Sequence, residues 1–119
     1  MAEWRMGVME ARFADLIWAH EPVGSTRLVK LAAEKLGWKK STTYTVLKRL
    51  CQRGYFQNQG GTVTSLLSRQ EFRARQSEEF VEESFGGSLP AFLTAFARRK
   101  KLSREEIDQL QALIDESRR

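Results

Sequence analysis

Gly37-Trp38-Lys39-Lys40-Ser41-Thr42-Thr43-Tyr44-Thr45-Val46-Leu47-Lys48-Arg49-Leu50 reads as a turn followed by a basic amphipathic helix. Val46, Leu47, Leu50 and Cys51 recur at helical spacing and form the inward face. Lys39, Lys40, Ser41, Thr42, Tyr44, Thr45, Lys48 and Arg49 are left outward or on the flanks. Ser41 or Thr42 is the expected cap of this helix, with Lys39 and Lys40 ahead of its start, and Gly54 is its stop. Slender hydroxyl side chains in the first turn let a helix approach a groove and bond base edges or phosphates. Lys39 and Lys40 stand where free backbone amides also favour phosphate, and Lys48 and Arg49 can reach along a phosphate backbone.

Working outward, Met9, Phe13, Leu16 and Ile17 mark a helix that ends before Pro22 and Gly24. Ser25 is the expected N-cap of the next, whose apolar face is Leu28, Leu31, Ala32 and Leu36 and which stops at Gly37. After the third helix, residues 55–59 and 62–67 read as two strands about Gly60-Gly61, a pair that tolerates the positive φ of tight hairpin turns. Three helices followed by a hairpin predict a winged helix-turn-helix over residues 1–67.

Residues 68–119 differ in composition and read as a helical dimerisation domain. Residues 69–85 are polar and glutamate-rich, and the thin stripe of Phe72, Phe80, Val81 and Phe85 suits a bridge or a partner chain. Gly86-Gly87 breaks that helix, and Ser88 caps a short one carrying Leu89, Phe92, Leu93 and Phe96. Ser103-Arg104-Glu105-Glu106 is a capping box with Leu102 and Ile107 as its staple, opening a helix with Ile107, Leu110, Leu113 and Ile114 on one side. Three short helices with these large apolar residues are under-packed alone, so a second copy is expected to complete their core. The expected dimerisation residues are Phe80, Phe85, Leu89, Phe92, Leu93, Phe96, Ile107, Leu110, Leu113 and Ile114. The fold class is thus mainly α, with a small β-hairpin wing and a C-terminal helical dimerisation region.

Charge follows the same division. Residues 1–67 carry ten Lys/Arg against five Asp/Glu, whereas residues 68–119 carry ten against ten, so the net +5 lies in the first part. Residues 38–54 hold five cations (Lys39, Lys40, Lys48, Arg49, Arg53) and no acid. Such a cluster attracts a polyanion. No run approaches the roughly 20 apolar residues of a membrane span, so no membrane insertion is expected. The start, Met1-Ala2-Glu3-Trp4-Arg5-Met6-Gly7, lacks the apolar core of a secretory signal, and Cys51 is the only cysteine, which fits a cytoplasmic protein.

Trp38–Leu50 resembles the recognition region of the penicillinase-repressor family of winged-helix transcriptional regulators. Phe13–Trp18 followed by Pro22 resembles the same family, as does Arg53-Gly54-Tyr55-Phe56. So do Leu67-Ser68-Arg69-Gln70-Glu71-Phe72, Phe85-Gly86-Gly87-Ser88 and Leu102-Ser103-Arg104-Glu105-Glu106-Ile107. The resemblance spans roughly Met9–Glu116. It implies a dimeric repressor of the type that regulates antibiotic-resistance genes, with winged domains on half-sites of double-stranded operator DNA. Relatives under a membrane β-lactam sensor protease are released by cleavage of an Asn-Phe bond. Ala95-Phe96 stands at the matching position, so the candidate proteolysis junction keeps Phe and lacks Asn, which weakens the case for a sensor-protease partner. Copper-responsive relatives use a C-terminal cysteine pair that this chain does not have. Thr62 follows Gly61 where the family wing often carries Arg.

The remaining residues read blandly. His20 is expected at a helix end or on the surface, Cys51 as a small buried hydrophobe, and Trp18 and Trp38 as core, with a flank of the DNA-facing surface as the alternative for Trp38. Trp4 is expected in a loosely ordered tail, and Glu78, Glu79, Glu82 and Glu83 on a solvated face. No nucleophile–base pair, phosphate-binding glycine loop or metal-ligand set is evident, so neither enzyme, metal nor cofactor is expected. The alternative to a DNA-binding repressor is a winged-helix protein-interaction module whose basic face docks an acidic partner.

Overall fold

Apolar spacing in the first 67 residues builds three helices and a hairpin around one aromatic-rich core. The computed structural model describes residues 3–119; Met1 and Ala2, at the head of the expected winged domain, lie outside the described residues. The elements are α1 (Val8–His20), β1 (Val23–Gly24), α2 (Ser25–Leu36), α3 (Lys40–Gln52), β2 (Phe56–Gln59), β3 (Thr62–Ser65), α4 (Arg69–Phe85), α5 (Leu89–Arg99) and α6 (Arg104–Ser117). They form two compact units, one running to Glu79 and one from Phe80 to Arg119.

In the first unit, Phe13, Ala14 and Ile17 of α1, Leu28 and Ala32 of α2, and Val46, Leu47 and Leu50 of α3 are buried together. Tyr55, Phe56 and Val63 close this core from the sheet side, and Phe72 from α4. Trp18 packs on Phe56 and Phe72 with ring centroids 5.2 and 5.7 Å away, and its indole N–H donates to Leu67 O at 3.0 Å. Trp38 lies 5.1 Å from Phe13. The turn between α2 and α3 depends on Gly37, whose φ of 69° is left-handed and open to glycine at no steric cost. Because the initial turns of α4 seat Phe72 on the winged core, the compact unit extends past the change of composition at Leu67.

The sheet has three antiparallel strands in the order β1-β3-β2. Gln59 pairs with Thr62 around Gly60-Gly61, both at positive φ, and Val63 pairs with Asn58 on one side and Val23 on the other. The strand β1 has no counterpart in the sequence reading, which has only a turn at Pro22–Gly24. Two residues carry no alternation, and only the edge of β3 makes them a strand. The hairpin strands are also shorter than expected, with Tyr55, Leu66 and Leu67 outside them.

Two helix starts differ from expectation. Gly24, not Ser25, occupies the N-cap of α2, and the Ser25 N–H donates to Gly61 O at 2.7 Å, so the wing tip satisfies the first free amide of the helix. Lys39, not Ser41 or Thr42, is the N-cap of α3, with no side-chain cap; Lys40 is therefore the first helical residue. Thr43 is buried one turn in and donates to Lys39 O at 3.1 Å, and Thr45 likewise donates to Ser41 O at 2.9 Å. These hydroxyls bond backwards along the helix instead of capping it.

The second unit contains the end of α4 with α5 and α6. Ser88 Oγ accepts from Ala91 N at 3.1 Å, and the Ser103–Glu106 capping box is complete at 2.9 and 3.1 Å. Hydrogen bonds from Ser103 hold the Glu106 carboxyl below its ordinary pKa. Phe80, Phe85, Phe92 and Phe96 form a cluster with Phe92 at its centre, 5.9, 5.5 and 6.2 Å from the others. No residue from Phe80 to Arg119 is buried.

Candidate nucleic-acid and dimer interfaces

At about 100° per residue, the buried stripe Thr43, Val46, Leu47 and Leu50 dictates what the other side of α3 presents. Ser41, Thr45, Lys48 and Gln52 share the face opposite that stripe, Lys40 and Tyr44 border it on one side, and Thr42 and Arg49 on the other. All eight residues singled out in the sequence, Lys39, Lys40, Ser41, Thr42, Tyr44, Thr45, Lys48 and Arg49, are exposed. Gln52, four residues after Lys48, is exposed in the same row and was missed, although the helical period alone points to it.

Neighbouring elements frame this face. Tyr44 Oη lies 3.5 Å from Ser25 Oγ at the start of α2, where the wing tip also attaches through Gly61 O. Asn58 Oδ1 accepts the Gly61 N–H at 3.1 Å and shapes the wing turn. A cleft of about 330 Å³ between α3 and β2 is lined by Tyr44, Leu47, Lys48, Cys51 and Asn58. Cys51 is half-buried there, and burial raises its pKa, so the thiol stays protonated. Arg49 differs from the other cations: its Nη1 lies 3.6 Å from Glu10 Oε2 on α1, so part of its charge is already answered. Neither Ser25 nor Asn58 was legible as part of this surface, because each arrives from another element. His20 closes α1 with its ring Nδ1 2.9 Å from Leu16 O.

In the second unit, Phe85, Phe92, Leu93 and Leu110 are half-buried, while Phe80, Leu89, Phe96, Ile107, Leu113 and Ile114 are exposed. A groove of about 320 Å³ runs between α5 and α6, lined by Phe92, Leu93, Leu102 and Leu110. Ala95 and Phe96 lie in mid-α5, with Phe96 packed on Phe92.

These features have relatives. The model of the penicillinase repressor family matches residues 6–116. The chain belongs to that family. Among curated relatives, the penicillinase repressor of Bacillus licheniformis is 24% identical over 111 residues, covering 90% of this chain and 87% of the relative. The methicillin resistance regulatory protein MecI of Mammaliicoccus sciuri is 20% identical over 118 residues, covering 96% and 90%. The match runs through both units. Membership makes it a transcriptional repressor. Among its described residues, no helix is long and apolar enough to cross a membrane.

Proposed function

We propose that this chain is a homodimeric repressor that lays α3 in the major groove of operator half-sites, with the β2–β3 wing beside it. In this reading Ser41, Thr45, Lys48 and Gln52 face the groove, Lys39, Lys40, Tyr44 and Thr42 meet its edges, and Arg49 reaches the backbone from the α1 flank. One observation carries the reading: a single helix buries Val46, Leu47 and Leu50 and leaves an acid-free, hydroxyl-and-cation surface exposed. The partner is a second copy, joined through the apolar residues of α5 and α6, and the setting is the cytoplasm, where operator DNA lies. Release by a sensor protease at Ala95-Phe96 would require α5 to open, because the bond is helical and its Phe is packed.

Titration of duplex DNA at rising salt tests the proposal. Lys39, Lys40, Lys48 and Arg49 of two protomers supply eight cations, so log K should fall against log salt with a slope no steeper than about −7. Negligible binding even at low salt would overturn the DNA reading and turn the basic face toward an acidic protein.

A further inference from the structure

The cleft between α3 and β2 combines an apolar bottom with a charged rim. It measures about 330 Å³ and is lined by Tyr44, Leu47, Lys48 and Cys51 of α3 and by Asn58 of β2. The four helical residues share one face because they stand at i, i+3, i+4 and i+7. Burial orders the lining: Leu47 is buried and Cys51 half-buried, whereas Tyr44, Lys48 and Asn58 are exposed at the rim. All five residues belong to the winged unit.

Volume, charge and hydrogen-bonding capacity each narrow the occupant. The volume falls at the lower end of the roughly 300–1,000 Å³ of small-molecule pockets, which suits one or two fused rings and not a peptide. A leucine and a thiol below, with the Tyr44 ring beside them, make walls on which a flat ring packs. Tyr44 is steadied from outside the cleft, its Oη lying 3.5 Å from Ser25 Oγ. Lys48 is the cation of the lining, and among the described residues it has no ion-pair or hydrogen-bond partner. No acid occurs in the chain between Glu34 and Glu71, so neither α3 nor the hairpin supplies a carboxylate to that ammonium. Asn58 Oδ1 is fixed as the acceptor of the Gly61 N–H at 3.1 Å, and its amide N–H donors have no partner among the described residues. Burial raises the Cys51 pKa, so the thiol is neutral and does not repel an anion. Apolar walls, one cation and an amide donor are the complement of a planar ring bearing one carboxylate.

We propose that this cleft is an effector site for a small aromatic monocarboxylate. The ring lies on Tyr44, Leu47 and Cys51, and the carboxylate meets the Lys48 ammonium and the Asn58 amide. Tyr44 and Lys48 also belong to the DNA-facing surface of α3, so effector and operator exclude each other. The bound acid neutralises Lys48, fills the gap between α3 and the wing, and thereby releases DNA. The coupling is reciprocal, and operator DNA weakens binding of the acid by the same factor. The release rests on the DNA-binding reading above; the binding of the acid does not.

2-Naphthoate is the probe, titrated calorimetrically into the full-length protein, with 2-naphthamide as its uncharged counterpart. The acid should bind with a dissociation constant of about 1 mM or tighter, and the amide about tenfold more weakly. Cys51 is the only cysteine, so its alkylation by uncharged iodoacetamide reports on the cleft, and saturating acid should slow it by about fivefold or more. Lys48→Gln should weaken the acid by about tenfold and leave the amide unchanged. Cys51→Leu should fill the bottom and abolish binding of the acid, while its affinity for duplexes that the wild type selects from a random pool stays within about twofold. Asn58→Asp keeps the acceptor for the Gly61 N–H and puts a carboxylate at the rim. It should also abolish binding, and it carries the test if the leucine unfolds the chain, which a thermal melt reads. On the selected duplexes, acid at about ten times its dissociation constant should lower wild-type DNA affinity by about tenfold and that of Cys51→Leu not at all. No binding of the acid at about 10 mM overturns the site, and so does equal binding of the amide or unslowed alkylation of Cys51. Acid bound in the cleft with DNA affinity unchanged overturns the release. No DNA binding at all overturns the functional reading beneath it, and titration of the acid still decides the cleft.

Discussion

Leu113→Ala should dissociate the dimer without disturbing the winged unit. Leu113 is 63% exposed on α6, beside a groove whose walls are Phe92, Phe96 and Leu110. Full burial of a leucine side chain stabilises by roughly 1.5–3 kcal/mol, so covering the exposed two-thirds contributes about 1–2 kcal/mol. In a two-fold interface the same contact occurs twice, giving about 2–4 kcal/mol per dimer. At about 1.4 kcal/mol per tenfold, that weakens association roughly 30- to 1000-fold. Alanine is the best helix former and the Ser103–Glu106 box remains, so α6 itself should stay helical. Sedimentation across nanomolar to micromolar concentrations reads the dimer constant, and near-ultraviolet circular dichroism of the tryptophans, none of which lies beyond Glu79, reports the winged unit. A variant whose dimer constant stays within about threefold of wild type would refute the assignment of this face.

On α3, Lys48→Ala should weaken DNA binding with the dimer intact, and the salt slope should fall by about one for each phosphate that Lys48 no longer neutralises, or about two per dimer. Arg49→Ala should cost less in the same titration, because Glu10 already holds part of that charge; a larger effect than for Lys48 would show that the ion pair opens on DNA. Burial raises the Tyr55 hydroxyl above its ordinary value near 10. Its proton is therefore retained more firmly in the fold than in the unfolded chain, and that stabilisation, complete below about pH 10, is lost as pH rises through the raised value. Melting temperatures of wild type and Tyr55→Phe should converge in that alkaline range, and parallel curves would refute it. Trp18→Phe should lower stability by about 1 kcal/mol for the missing indole bond to Leu67 O, plus a cavity contribution, measured by urea unfolding.

Sequence alone determined the helices of both units, the hairpin about Gly60-Gly61, the Ser88 and Ser103 caps and the exposed set on α3. Each is written in local spacing: a 3.6-residue period, a glycine where φ turns positive, or a hydroxyl three residues ahead of the amide it caps. The same period places Gln52 in the exposed row with Ser41, Thr45 and Lys48. Tertiary structure alone decided that Val23–Gly24 is a strand, that Gly61 caps α2 in place of Ser25, and that Glu10 claims part of Arg49. It also decided that Glu79, expected on a solvated face, and Arg53 hold the backbone of residues 3–5, expected as a loose tail. These contacts join residues far apart in the chain. Their partners are single hydrogen bonds and charges with no period of their own, so they exist only once the core has brought the elements together.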